Sequence, residues 1–145
     1  MEPELKKQYI DTGRAKLVWH DFPWIGNESL QAAQAARCAG AQGTEGFWAF
    51  HDYLYHHQRG ENGGQFAVPN LKAFARELGL DQDAFDSCID NGADLPALRQ
   101  AFQEGRQLGI TGTPFFLIAG QRRSGVPTMQ QLSAVLDAEL ARVGR

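Results

Sequence analysis

The stretch from Gly109 to Gly120 constrains the fold of this chain more than any other. It reads Gly-Ile-Thr-Gly-Thr-Pro-Phe-Phe-Leu-Ile-Ala-Gly. The aromatic and branched aliphatic residues after Pro114 are typical of a β-strand. Proline cannot donate to a strand ladder, so a proline at the first residue of a strand marks where the ladder begins. The stretch therefore predicts a Gly/Thr-rich loop that ends at Thr113, followed by a strand over residues 114–119.

Most of the remaining chain has the hydrophobic periodicity of amphipathic helices. Side chains that favour the N-cap position precede three of these segments, at Asn27, Asp81 and Thr128. Glycines that favour helix ends follow several of them. The pattern predicts helices over residues 3–12, 28–40, 44–57, 70–78, 82–91, 94–108 and 129–143.

The segment from Arg14 to Phe22 predicts a further strand, closed by Pro23. Its centre, Leu-Val-Trp, is too continuously apolar for a strand with one face in water, which favours a buried strand in a mostly parallel sheet. A short return strand is expected over residues 121–125, after a turn at Gly120. The predicted order is a helix, a strand, a block of helices, a hairpin and a helix, which is an α/β arrangement.

Composition excludes several classes of protein. The net charge is −3, and positive and negative residues are interspersed, so there is no basic face for nucleic acid. No apolar run is long enough to span a membrane. The N-terminus lacks the apolar core of a signal peptide. Taken alone, these features indicate a cytoplasmic protein with one domain and a substantial core.

Cysteine and histidine positions give no metal-ligand pattern. Cys38 and Cys88 are 50 residues apart, so they form neither a Cys-x-x-Cys pair nor a zinc spacing. Spacing leaves two inert thiols and one disulfide as open alternatives, with the thiols favoured. His51, His56 and His57 share one predicted helix without an i, i+4 pair, so we expect them on its polar rim rather than on a metal. The aromatic residues of that helix are expected to pack in the core, and no paired carboxylates are visible.

The loop Gly-Ile-Thr-Gly-Thr-Pro followed by Phe-Phe-Leu-Ile resembles the cis-proline loop of the thioredoxin superfamily, and more specifically its DsbA-like branch. Other parts of the chain share this resemblance, in residues 11–23, 28–39, 47–54 and 78–88. The resemblance implies an α/β, incomplete thioredoxin fold with an inserted all-helical subdomain. Residues 1–26 and 109–145 would form the thioredoxin-like part, and residues 27–108 the insertion. In that family the loop pairs with the substrate backbone, a role that would fall to Thr113 and Pro114.

The sequence departs from the family at its reactive centre. DsbA-like proteins carry a Cys-x-x-Cys motif at a helix N-terminus, after a central strand, and neither is present here. We therefore expect no catalytic residue in this chain, and we interpret it as a shortened version that lacks its first strand. The two predicted strands at 15–21 and 115–119 would then face each other across a gap one strand wide. A swapped segment, or a strand from a second copy in a homodimer, would fill that gap.

The resemblance also changes the interpretation of the cysteines and of the compartment. Some relatives carry a structural disulfide within the helical subdomain, which implies a Cys38–Cys88 bridge. DsbA-like proteins act outside the cytoplasm, in the periplasm or anchored to a membrane, where disulfides persist. The implied substrates are cysteine-containing proteins or peptides, with no cofactor and no metal.

Three functions remain open from the sequence. The first is a thiol–disulfide oxidoreductase or isomerase of secreted proteins, inactive as these 145 residues. The second is a redox-inactive module that binds a peptide or partner strand at its open edges. The third is a relative of the kappa-class glutathione transferases and chromene-carboxylate isomerases, which also insert helices into a thioredoxin fold.

Overall fold

The computed structural model describes residues 2–144. Its helices are α1 (Glu2–Leu5), α2 (Gly26–Gly40), α3 (Thr44–His57), α4 (Val68–Glu77), α5 (Gln82–Asn91), α6 (Leu95–Gln107) and α7 (Met129–Arg142), and its strands are β1 (Phe115–Ile118) and β2 (Gln121–Ser124). A π-helical segment, Lys6–Ile10, continues α1. The predicted helices and hairpin are thus confirmed. The architecture is mostly helical with a small two-stranded sheet, which is consistent with the incomplete thioredoxin fold that the resemblance implies.

The chain forms two compact units, which we describe separately. The helical unit runs from Asp21 to Leu108 and contains α2 to α6. The hairpin unit combines the residues up to His20 with those from Gly109 onward, and contains α1, the hairpin and α7.

The core of the helical unit is built around the small side chains of α2. Ala35, Ala36 and Ala39 are buried, and they leave room for larger side chains from the neighbouring helices. Phe50 of α3 and Phe85 of α5 fill this room, with ring centroids 5.4 Å apart. Rings in such offset contact contribute about 0.5–1.5 kcal/mol beyond the burial of their area.

A glycine sets the distance between α2 and α3. A Cβ atom placed on Gly46 of α3 would lie 2.6 Å from the backbone carbonyl oxygen of Ala39 in α2. Real Cβ atoms do not approach a backbone oxygen so closely, so either helix would have to move. Glycine is therefore required at this position although it lowers helix propensity.

The core of the hairpin unit holds the terminal helix against the N-terminal one. Leu5 and Tyr9 are buried together with Leu132 and Leu140 of α7. The hydroxyl of Tyr9 donates to Asp137 at 3.0 Å, and the Arg14 guanidinium donates to the same carboxylate at 3.2 Å. A capping box between Thr128 and Gln131 begins α7.

The hairpin pairs antiparallel strands in a register that runs from Phe115 opposite Ser124 to Ile118 opposite Gln121. Ile118 packs on the α7 core. Leu117 points to the other face and is 67 % exposed. One face of the hairpin is therefore covered within the hairpin unit, while Leu117 on the other face is largely exposed.

The strand predicted from Arg14 to Phe22 is wrong. Residues 15–24 have no regular secondary structure, and Val18 and Trp19 are exposed rather than buried. A strand exists only when its backbone groups pair with another strand, and within residues 2–144 the one sheet consists of β1 and β2. The apolar run has the composition of a strand without a ladder to join.

The cap predicted at Asn27 is also wrong, because α2 begins one residue earlier, at Gly26, with Ile25 in the N-cap position. By contrast, the caps predicted at Asp81 and Thr128 are confirmed. The Asp81 side chain accepts a hydrogen bond from the Ala84 N–H, and the Thr128 side chain accepts one from the Gln131 N–H.

Within residues 2–144, no helix combines the length and the apolar character that crossing a bilayer requires.

Replacing Gly46 with alanine tests the α2–α3 contact. Helix propensity alone predicts a gain of about 1 kcal/mol. We expect instead a loss of about 1–3 kcal/mol in the free energy of unfolding, because the new methyl group meets a backbone oxygen at 2.6 Å. Urea denaturation measures the difference. Gly63→Ala is the control, since a Cβ there would meet nothing within 4 Å, and it should change stability by less than about 0.5 kcal/mol. A stabilised Gly46→Ala protein would contradict the packing argument.

Candidate functional site

The loop that precedes β1 contains the two residues singled out from the sequence. Gly109, with φ of 80°, follows α6, and the peptide bond between Thr113 and Pro114 is cis. Thr113 is exposed and Pro114 is half-buried. The loop therefore presents Thr113 at the surface of the hairpin unit.

The strand ladder begins at the proline. The carbonyl of Pro114 accepts a hydrogen bond of 3.0 Å from the Gly125 N–H, one step before the first residue pair of the hairpin. This pairing uses the side of the strand that faces β2. Within residues 2–144, β2 is the only strand that pairs with β1. An extended peptide could therefore add to the opposite edge of β1, beginning at the loop.

The two cysteines lie in the helical unit and are joined to each other. Cys38, in the last turn of α2, forms a disulfide with Cys88 of α5, with a Cα–Cα distance of 5.7 Å. Cys38 is 1 % exposed and Cys88 is half-buried. Because these are the two cysteines of the sequence, none of its residues offers a free thiol.

A group of charged side chains lies beside the disulfide. One carboxylate oxygen of Asp94 lies within 4.8 Å of both sulfurs. The Arg37 guanidinium is 2.7 Å from Asp21 and 3.8 Å from Asp94. The two sulfurs and the carboxylate are close enough together for a metal site. Metals bind cysteine as a thiolate, however, and these sulfurs are bonded to each other, so the group is not a metal site while the disulfide is intact. Arg37 and Asp94 also line an open groove of about 530 Å³.

The histidines of α3 differ from the expectation in one case. His51 is 4 % exposed, so its placement on a polar rim is wrong. Its Nδ1 lies 3.0 Å from Asp52, and its ring contacts Phe47, Trp48 and Tyr55. His51 lies four residues after Phe47 and three before Leu54, on the buried face of α3, so helical periodicity could have indicated its burial.

Two ionisable groups of the helical unit have shifted pKa values. A hydrogen bond to Glu77 raises the pKa of Tyr53, and a hydrogen bond to Asp90 raises the pKa of Lys72. Both pairs are exposed and join neighbouring helices. They are contacts of the scaffold and are remote in sequence from the loop at Thr113.

Comparison with known proteins gives one family model, described as thioredoxin, which matches residues 1–138. Among solved structures, the chain is similar to the thiol-disulfide exchange protein alpha-DsbA2 from Wolbachia pipientis. The TM-score is 0.79 and the identity 28%, over 94% of this chain and 73% of that protein.

Among curated proteins, the chain is 26% identical to the probable disulfide bond formation protein D of Bacillus anthracis, over 95% of this chain and 64% of that protein. It is also 28% identical to the Na(+)/H(+) antiporter NhaA 1 of Salinispora arenicola, over 97% of this chain and 21% of the antiporter. The chain thus spans about a fifth of the antiporter and just under two thirds of the Bacillus protein.

Removal of the disulfide tests its contribution to the helical unit. A cross-link that spans 50 residues restricts the unfolded chain, and the loop-entropy relation gives about 4 kcal/mol. We expect the Cys38→Ala/Cys88→Ala protein to lose roughly that much stability in urea denaturation. The wild-type protein unfolded in a reducing buffer is the matched control and should lose a similar amount. Equal midpoints for the oxidised wild type and the double variant would contradict this prediction.

Proposed function

The chain belongs to the thioredoxin family and is a DsbA-like member of it, and we propose on that basis that the whole protein exchanges thiols and disulfides with cysteine-containing proteins or peptides. The observation that carries the proposal is the extent of the family match. It spans residues 1–138 and so includes the loop, the hairpin and the helical unit together. The similarity to a thiol-disulfide exchange protein over 94% of the chain supports it.

The reactive dithiol of the proposed exchange lies outside these 145 residues. Exchange begins when a thiolate attacks a disulfide sulfur, and a second thiol then resolves the mixed disulfide. Cys38 and Cys88 do not fit this role, because one is buried and both are held in a bond that ties α2 to α5. Residues 2–144 supply the binding surface, and a preceding Cys-x-x-Cys segment supplies the chemistry.

Thr113 and Pro114 hold the substrate in this proposal. Their loop is continuous with β1, whose second edge is available for pairing within the described residues. A peptide laid along that edge gains main-chain hydrogen bonds that do not depend on its side chains. Such binding suits an enzyme that acts on many different cysteine-containing chains.

The compartment we propose is outside the cytoplasm. The Cys38–Cys88 disulfide supports this, because cytosolic reductants keep most protein thiols reduced whereas secreted proteins retain their bridges. The substrates are then thiols of secreted proteins.

A second candidate is a redox-inactive module that binds a peptide or partner strand. Two observations favour it: both cysteines are in one disulfide, and β1 has an edge for strand addition. The similarity to one fifth of an Na(+)/H(+) antiporter adds that such a module can belong to a longer protein. In this second candidate the partner strand can also come from a second copy of the chain, which would give a homodimer. The third alternative, a relative of the kappa-class glutathione transferases, stays a prediction from the sequence.

Insulin reduction in dithiothreitol distinguishes the two candidates. We expect the 145-residue chain to give no turnover above the blank, because it has no free thiol. The matched control is the same chain preceded by the residues encoded upstream of Met1. If the first candidate is right, this longer protein contains a Cys-x-x-Cys pair and reduces insulin at least about tenfold faster than the blank. Turnover by the 145-residue chain would contradict both assignments.

Peptide binding at the loop is tested by two substitutions of Thr113. Thr113→Pro removes the backbone N–H, and one lost hydrogen bond should weaken the binding of a serine-for-cysteine peptide about fivefold. Thr113→Val keeps the backbone N–H and the side-chain shape, so its affinity should stay within about twofold. Nuclear magnetic resonance titration measures both affinities, and circular dichroism checks that both variants fold. Equal affinities for all three proteins would remove Thr113 from the binding site.

A further inference from the structure

The carboxylate of Asp94 lies beside the disulfide of the helical unit, and it does not serve there as a helix cap. Asp94 occupies the N-cap position of α6, yet its side chain makes no capping hydrogen bond. One of its oxygens instead lies within 4.8 Å of both sulfurs of the Cys38–Cys88 bridge. Its side chain is 34 % exposed, so water screens its charge only in part.

The two sulfurs are not equally accessible. Cys38 is 1 % exposed, whereas Cys88 is half-buried. Cys88 is thus the less covered of the two cysteines, so in the exchange considered below a thiolate from solution attacks Cys88 and Cys38 is the leaving group. The attacking sulfur and the leaving sulfur are both negatively charged, so the carboxylate of Asp94 repels both of them.

The nearby cation does not neutralise this charge. Arg37 places its Nε 2.7 Å from Asp21, and its Nη1 lies at the longer distance of 3.8 Å from Asp94. One guanidinium is thus shared between two carboxylates, and the three side chains together carry a charge of about −1 when all are ionised.

We propose that Asp94 protects the Cys38–Cys88 disulfide from thiol exchange through its negative charge. In the reaction that it slows, one thiolate of a dithiol reductant attacks Cys88, a new sulfur–sulfur bond forms, and Cys38 leaves as a thiolate. The second thiolate of the reductant then displaces Cys88 and closes the reductant's own disulfide. Two electrons pass to the protein, and the two cysteine thiolates take up protons from water.

This protection has a use in a protein that works among thiols, although the inference stands on the helical unit alone. A structural bridge must persist while other thiols and disulfides exchange around it. Burial protects Cys38, and in this proposal the charge of Asp94 protects the less buried Cys88.

The rate of disulfide reduction in the native protein tests the proposal. Asp94→Asn keeps the shape of the side chain and removes its charge. We expect its second-order rate constant with dithiothreitol to rise about threefold to tenfold, as a unit charge at this distance implies. Alkylation of released thiols followed by intact-mass measurement gives the rate. In high salt the difference between the two proteins should shrink.

The charge of the reagent provides the sharper measurement. The wild-type protein should react faster with cationic cysteamine than with anionic mercaptopropionate, once each rate is divided by that of the reagent with a small neutral disulfide. Asp94→Asn should reduce this preference. Glu61→Gln, which makes the same change in net charge in the exposed loop after α3, should leave both rates unchanged.

Two results would overturn the proposal. One is an Asp94→Asn protein with the rate constant and the charge preference of the wild type. The other is a faster reduction of Asp94→Asn that depends neither on the concentration nor on the charge of the thiol, because that behaviour reports unfolding rather than attack on the native bridge.

Discussion

The close contact between α2 and α3 is the interaction on which the helical unit depends. It is possible because α2 has small side chains facing its neighbours and because α3 has a glycine where it meets the Ala39 carbonyl. Helix α2 also carries Arg37 and Cys38 in its last turn. The packing that brings α3 and α5 to α2 therefore also fixes the disulfide and the charged group beside it, since rigid helices place all their side chains together.

Backbone pairing sets the limits of the hairpin unit. A two-stranded hairpin is marginal in water by itself, and here α7 covers one of its faces through Ile118. The Pro114 carbonyl accepts from the Gly125 N–H on the edge of β1 that faces β2, whereas no strand within residues 2–144 pairs with the second edge. This edge and the loop before it are the basis of the peptide binding that we propose, because their backbone groups are in position to add a strand.

Most parts of the fold that depend on local interactions could be predicted from the sequence, although the cap expected at Asn27 does not form, and several parts that depend on distant partners could not. Asp81 and Thr128 cap helices through bonds to residues three positions away, so their roles are readable from the chain. The apolar segment around Trp19 has the composition of a strand, but strand formation requires a partner that composition does not specify. The bridge between Cys38 and Cys88 was accessible only through family resemblance, because a separation of 50 residues says nothing about proximity. His51 was misplaced for a different reason: its polar side chain suggested the surface, although its spacing from Phe47 and Leu54 puts it on the buried face of α3.

Asp94 shows how tertiary structure can override a local rule at little cost. An aspartate at an N-cap ordinarily accepts a hydrogen bond from the second or third N–H of its helix, worth about 1 kcal/mol. In α6 the second residue is Pro96, which has no N–H to donate, so only one of the two usual partners exists. Helix α6 therefore loses less capping free energy when the Asp94 carboxylate turns away from it. The partly exposed contact between Asp94 and Arg37, at 3.8 Å, offsets part of that loss. The proline therefore frees the aspartate to lie beside the disulfide, a position that neither residue alone would indicate.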